Sequence, residues 1–182
     1  MERLRNTLAA QLPCQHDAEV ILSASNCWLL IQELAQTRED APSVTLDLAE
    51  VAKQHPTIIG RTLLYIGVCM QQLPTSFDTA RFKSISSLEA SMERCLSTAT
   101  LVTADDELVS TLEGIECLLL QGLYHINAGN LRRAWLTFRR ALNVGQLMGL
   151  HKGYTQVCKV PLRLKQSDSD SFRLAKVLIP FP

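Results

Sequence analysis

Four histidines, six cysteines and two arginine pairs are the residues from which a chemical function of this chain would have to be built. The histidines, His16, His55, His125 and His151, show no HxxxH or HExxH spacing, so no helix carries two imidazoles on one face for a metal. The cysteines, Cys14, Cys27, Cys69, Cys95, Cys117 and Cys158, are nowhere closer than 13 residues apart, whereas zinc clusters need CxxC pairs. Cys27, Cys69, Cys95 and Cys117 sit among apolar residues at helical spacing, which predicts buried free thiols in a reducing compartment. There is no P-loop and no GxGxxG. Asp105, Asp106 and Glu107 suit a cation, but equally the first turn of a helix, where acidic groups oppose the positive end of the dipole. His125 is expected to be hydrogen-bonded structure. No catalytic, cofactor-binding or metal-ligating set emerges, and the chain reads as a non-enzyme.

Arg132, Arg133, Arg139 and Arg140 are the strongest charge feature. They suit phosphate or DNA contacts on one reading, and a solvated face with ion pairs to Asp105, Asp106, Glu113 and Glu116 on the other. The second is favoured. Lys plus Arg and Asp plus Glu are 18 each, so the 182-residue chain has no overall pull on nucleic acid. Leu136 and Leu147 lie between the arginines, which predicts partial cover by further helices.

The elements that position these residues are helices. Apolar content is 47% with only 5% aromatics, as suits an all-α globule large enough for a core of its own. Residues 1–12 predict a short helix ended by Pro13. Asp17 is expected to cap a long helix over 17–37, with Val20, Ile21, Ala24, Cys27, Trp28, Ile31 and Leu34 on one side. A short amphipathic helix follows over 46–54. Pro56 fits the first turn of a helix reaching about Leu73, on which Gly60 and Gly67 share a face and permit close helix approach. Residues 74–83 form a loop. Ser86 and Glu89 make an S-x-x-E capping box for a helix to about Val102.

A helix pair over 103–151 then carries most of the information. Leu108, Leu112, Ile115, Leu119, Gly122 and Ile126 keep to one face, and Leu118, Leu120 and Leu123 extend the apolar surface most of the way round, as in an interior helix. Gly129 suits the left-handed position after a helix, and Asn130 the N-cap of the next. In that second helix Leu131, Ala134, Trp135, Phe138, Ala141 and Leu142 are expected to face inward. Trp135 and Phe138 then belong to the core, and losing Trp135 would cost about 3–5 kcal/mol. No strand alternation is found. No apolar run is long enough to cross a membrane, and the first residues have no apolar signal core.

Gly122, Gly129, Ala134, Phe138 and Ala141 fit the spacing of one tetratricopeptide repeat. That reading, a helical adaptor for a protein or peptide, demands at least three stacked hairpins and a concave face. A longer match is LLLQGLYHINAGNLRRAWLTFRRALNVGQLMGLH, which resembles LLLQxLYxxNxGxxRxAWxxxGxAxRLAxxLGLH of the regulatory domain of fungal zinc-cluster transcription factors, the middle homology region. The shared positions are 118–121, Leu123, Tyr124, Asn127, Gly129, Arg132, Ala134, Trp135, Ala141, Gly149, Leu150 and His151. The resemblance spans about residues 12–152 and is specific only in its last third.

It implies an all-α, irregular multi-helix bundle with a central antiparallel, tetratricopeptide-like hairpin. Residues 1–152 would be the regulatory domain, truncated on its C-terminal side; the prolines and the polar SDSDS run predict an irregular tail over 153–182, mobile over 167–171. The implied function is non-catalytic control of DNA-templated transcription in the nucleus. Protein partners or self-association are expected, DNA only indirectly, through a zinc cluster that this chain lacks, and no membrane. A small-molecule effector has room between helices but no identifiable polar lining. No cofactor is expected in the chain; zinc belongs to the DNA-binding cluster of the parent family. The family-motif residues are Asn127, Gly129, Arg132, Arg133, Ala134, Trp135, Phe138, Arg139, Arg140, Gly149, Leu150 and His151.

Overall fold

Proline and capping side chains set several of the helix starts. A computed structural model describes residues 1–25 and 46–150, and among these every regular element is helical. Helix α1 spans Glu2–Ala9 and α2 spans Gln15–Ala24, separated by the turn that ends at Pro13. The expected helix over 17–37 thus stops at Ala24, with Ser25 already extended, and its continuation with Cys27, Trp28, Ile31 and Leu34 lies outside the described residues. Helix α3, Leu48–Val51, is capped by the Asp47 carboxylate, which accepts from Ala49 N and Glu50 N. Helix α4, Pro56–Gln71, begins with Pro56 in the first turn as expected, where a missing N–H leaves nothing unsatisfied. Residues 72–87 include a 3-10 turn, Thr79–Arg81. Helix α5 is Leu88–Thr103, and its cap is Ser87, one residue after the serine of the expected box: the Ser87 hydroxyl accepts from Ala90 N.

The core is built around α4. Ile59, Leu63, Leu64, Ile66, Val68, Cys69 and Met70 are buried along it, and it packs against α1, α2, α3, α5 and the long helix α7, Leu112–Asn127. Gly60 and Gly67 allow this. A Cβ on Gly60 would come within 2.9 Å of Val102 on α5, and one on Gly67 would touch Cys95 and Tyr124. The hub of the fold is therefore α4, and the pair formed by α7 and α8, Leu131–Leu147, is added to its side.

Asp17 has a different role from the one its position suggests. Helix α2 starts before it, at a Cys14 cap that makes no side-chain hydrogen bond, and Asp17 is fully buried. Its carboxylate accepts from Lys83 N at 2.8 Å, Ser84 N at 2.7 Å and the Ser84 hydroxyl at 2.5 Å, tying α2 to the loop before α5. Burial pushes the carboxyl pKa up, but these hydrogen bonds outweigh it and hold the group at about 2. A depressed pKa means that the contribution is complete above the unfolded value of about 4 and is lost as pH falls through the folded value. Urea unfolding should therefore show a stability gap between the wild type and Asp17→Asn that is constant above about pH 4 and narrows on acidification. A gap that widens in acid would refute the assignment.

Two further expectations change. The run from Leu108 to Ile126 is two helices: α6, Asp106–Val109, capped by Asp105, and α7, capped by the Thr111 hydroxyl, which accepts from Gly114 N at 3.0 Å. Asp105, Asp106 and Glu107 do start a helix, a short one. A stack of three similar hairpins, required of a tetratricopeptide array, is absent among the described residues, where α7–α8 is the one tight hairpin.

Candidate functional site

Helix α7 is apolar nearly all round, and none of residues 112–125 is exposed. One side meets α4 and α5, the other α8. Its end is closed by Gly129 at φ +73°, with Gly129 N donating to Ile126 O and Asn130 N to His125 O, the paired bonds of a Schellman turn. Asn130 occupies the N-cap of α8, as expected, without a side-chain capping bond. Asn127 is exposed and donates to Gln71 Oε1 at 3.2 Å, while Gln71 donates to Tyr124 O at 3.1 Å. The corner is thus pinned to the end of α4 by Gln71, a residue that nothing local in the sequence singles out.

The inner face of α8 consists of small residues. Ala134, Ala141 and Gly145 are buried, and half-buried Phe138 lies across Gly122, where a Cβ would come within 2.6 Å of its ring. Below them a small second core joins Val109, Ile115, Leu118 and Ala141 with half-buried Leu112, Leu119, Val144 and Leu150. Gly149, at φ +77°, turns the chain so that Leu150 reaches it. His151 lies outside the described residues.

Trp135 points outward and is 59% exposed, against the expectation of a core tryptophan. The reason is geometric. A helix turns about 100° per residue, so with Ala134 and Ala141 at the contact Trp135 is carried to the flank. Leu131, Leu136 and Leu147 are exposed too, so the expected cover over the arginine face is not present among the described residues. Trp135→Ala should consequently cost under about 1 kcal/mol in urea denaturation, as for an exposed surface site. A loss of 3 kcal/mol or more would restore the inward placement.

The arginines divide. Arg140 donates to Asp106 Oδ1 at 2.7 Å and to Thr103 O, joining α8 to the ends of α5 and α6. Arg139 lies over the Trp135 ring, 5.2 Å from its centre. Arg132 and Arg133 are exposed, and no ion pair among the described residues uses Arg132, Arg133 or Arg139. Glu116, expected to serve the arginines of α8, instead pairs with Arg61 on α4.

His125 is buried, but its Nδ1 has no hydrogen-bond partner, contrary to expectation. Burial, and then the nearby Arg133 charge, lower its pKa and favour the neutral ring. Cys69, Cys95 and Cys117 are buried and Cys14 is exposed. Burial raises Cys95 to about 11 and Cys117 to about 12, so neither offers a thiolate near neutral pH. Among the described residues no three His, Cys, Asp or Glu side chains are grouped to hold a metal, and no helix is long and apolar enough to cross a membrane.

The hairpin and the bundle behind it coincide with a described family. The "fungal specific transcription factor domain" matches residues 11–175. The chain is 50% identical over 122 residues to transcription factor sdnS of Sordaria araneosa, covering 66% of this chain and 16% of that protein. It is 37% identical over 173 residues to transcription factor eupR of a Phoma species, covering 91% and 37%. It is 34% identical over 168 residues to the dehydrocurvularin biosynthesis regulator of Aspergillus terreus, covering 83% and 22%. The chain therefore spans well under half the length of these relatives. No solved structure matches it. With the family matched across most of its residues and the relatives named as transcription factors and regulators, this chain belongs to the fungal specific transcription factor domain family, the regulatory region of fungal zinc-cluster transcription factors.

Proposed function

We propose that the domain acts in the nucleus as a non-catalytic controller of transcription, through protein contacts and without reading bases itself. In this account DNA recognition belongs to a zinc cluster of the parent protein, and this domain governs what the bound protein does. The match over residues 11–175 carries the reading. Charge supports it: the chain is neutral overall, and its clustered arginines share α8 with exposed leucines. A phosphate backbone rewards the arginines and offers nothing to the leucines.

The test is selection of the purified chain against a randomised duplex DNA pool. The account predicts no enriched sequence, and only weak retention that disappears on adding salt. Enrichment of a defined motif would overturn it.

A further inference from the structure

Helix α8 has an outer stripe that nothing among the described residues covers. Arg132, Trp135, Leu136, Arg139 and Leu147 recur at helical spacing on the side away from Ala134, Ala141 and Gly145. Eight large apolar side chains are exposed among the described residues, and Leu131, Trp135, Leu136, Leu147 and Met148 of this one helix and its cap are five of them. That concentration is what separates a contact surface from ordinary scattered exposure. The helix carries four arginines and no acidic residue, although the whole chain is balanced at 18 against 18. Arg139 stacks on Trp135, which holds the ring and presents a cation beside it. Tryptophan and arginine together are the residues most often found at the energetic centre of protein interfaces.

We infer that the outer face of α8 is a docking site for an acidic amphipathic peptide segment of a partner protein, with apolar side chains set between Trp135, Leu136 and Leu147 and carboxylates on Arg132 and Arg139. Charge favours this occupant over a second copy, over residues 151–182 and over nucleic acid. A second copy of α8 would bring arginine against arginine. The chain's own residues 151–182 carry six Lys and Arg against two Asp, so they are basic like the face they would cover. Nucleic acid satisfies the cations and leaves the leucines in water. A helix-in-groove or helix-on-face partner with acidic flanks satisfies both. Arg140 takes no part, because Asp106 and Thr103 already hold it.

The inference rests on the proposed function only in taking the partner to be a protein. The test is fluorescence anisotropy with the whole chain and two labelled peptides: an amphipathic helix with Leu and Phe on one face and Asp and Glu along the flanks of that face, and the same design with Lys replacing the acids. The acidic peptide should bind one to one, and weaken with salt. Trp135→Ala should weaken it about tenfold, as for a central interface residue. The double change Arg132→Glu with Arg139→Glu should reverse the preference toward the basic peptide. All three residues are exposed, and circular dichroism checks that the variants stay folded. Equal binding of both peptides, or none, would overturn the site. So would a dimer that Leu136→Ser dissolves, or duplex DNA that competes at similar affinity through the same residues. If binding fails while the tethered chain still changes transcription, the site falls and the functional reading stands.

Discussion

Gly114→Val is expected to destabilise the chain by about 3 kcal/mol, at the upper end for overpacking a tight contact. Gly114 sits in the first turn of α7, where α6 ends. A Cβ there would collide with Leu108 O and come within 2.6 Å of Val109 Cα. Both are backbone, so no rotamer change relieves the clash, and α6 must move away. Its Val109 is part of the small core beneath α8, and its Asp106 holds Arg140, so the hairpin loosens with it. Gly114→Ala should follow the same direction with a smaller loss. Gly122→Ala should be milder than Gly114→Val, because the obstacle is the ring of Phe138, which is half-buried and free to swing. Urea denaturation followed by circular dichroism ranks the three. A Gly114→Val protein within about 1 kcal/mol of wild type would show that α6 and α7 do not meet as described.

Leu63→Ala should cost about 2–5 kcal/mol, the range for a fully buried leucine whose cavity cannot collapse. Leu63 lies in the middle of α4, the helix that touches most others. Domains of this kind have about 5–15 kcal/mol in total, so this change alone brings the chain near its threshold. The contrast with Trp135→Ala is the sharper part. The larger side chain, in the more recognisable motif, should matter several times less to folding. Denaturant midpoints of the two variants measured side by side decide this, and a reversed order would mean that α8 is buried and α4 is not the hub.

Much of the architecture is legible in the sequence because it is set by local chemistry. Pro56 in a first turn, Gly129 in the left-handed region and Asn130 at a cap each act within a few residues of themselves. Gly60 and Gly67 could be paired in advance because seven residues is two helical turns. The failures share a different cause. Asp17 looks like a cap, but its partners are 66 and 67 residues away, and only the folded chain brings Lys83 and Ser84 to it. The expected box starts at Ser86, whereas the cap is Ser87, whose hydroxyl accepts from Ala90 N. The break at Thr111 was hidden because Leu108 and Leu112 keep the apolar spacing across it.

Trp135 illustrates the same limit in the candidate site. Hydrophobic periodicity assigns the largest apolar residues inward, whereas a hairpin as close as α7–α8 needs its smallest ones at the contact. Ala134, Ala141 and Gly145 take that place, and the tryptophan and leucines are displaced to the outside. Packing among the described residues therefore does not account for their apolar character, which is what the proposed docking surface would use. The arginines follow the same division: Arg140 serves the fold, and Arg132, Arg133 and Arg139 remain at the surface.

The most direct measurement is transcription from a reporter to which the whole chain is tethered by an unrelated DNA-binding domain. The account predicts output different from that of the DNA-binding domain alone, and a difference that Trp135→Ala or Arg132→Glu with Arg139→Glu diminishes while the protein stays folded and abundant. Unchanged output from a folded, nuclear fusion would contradict the claim that this domain controls transcription through its own contacts.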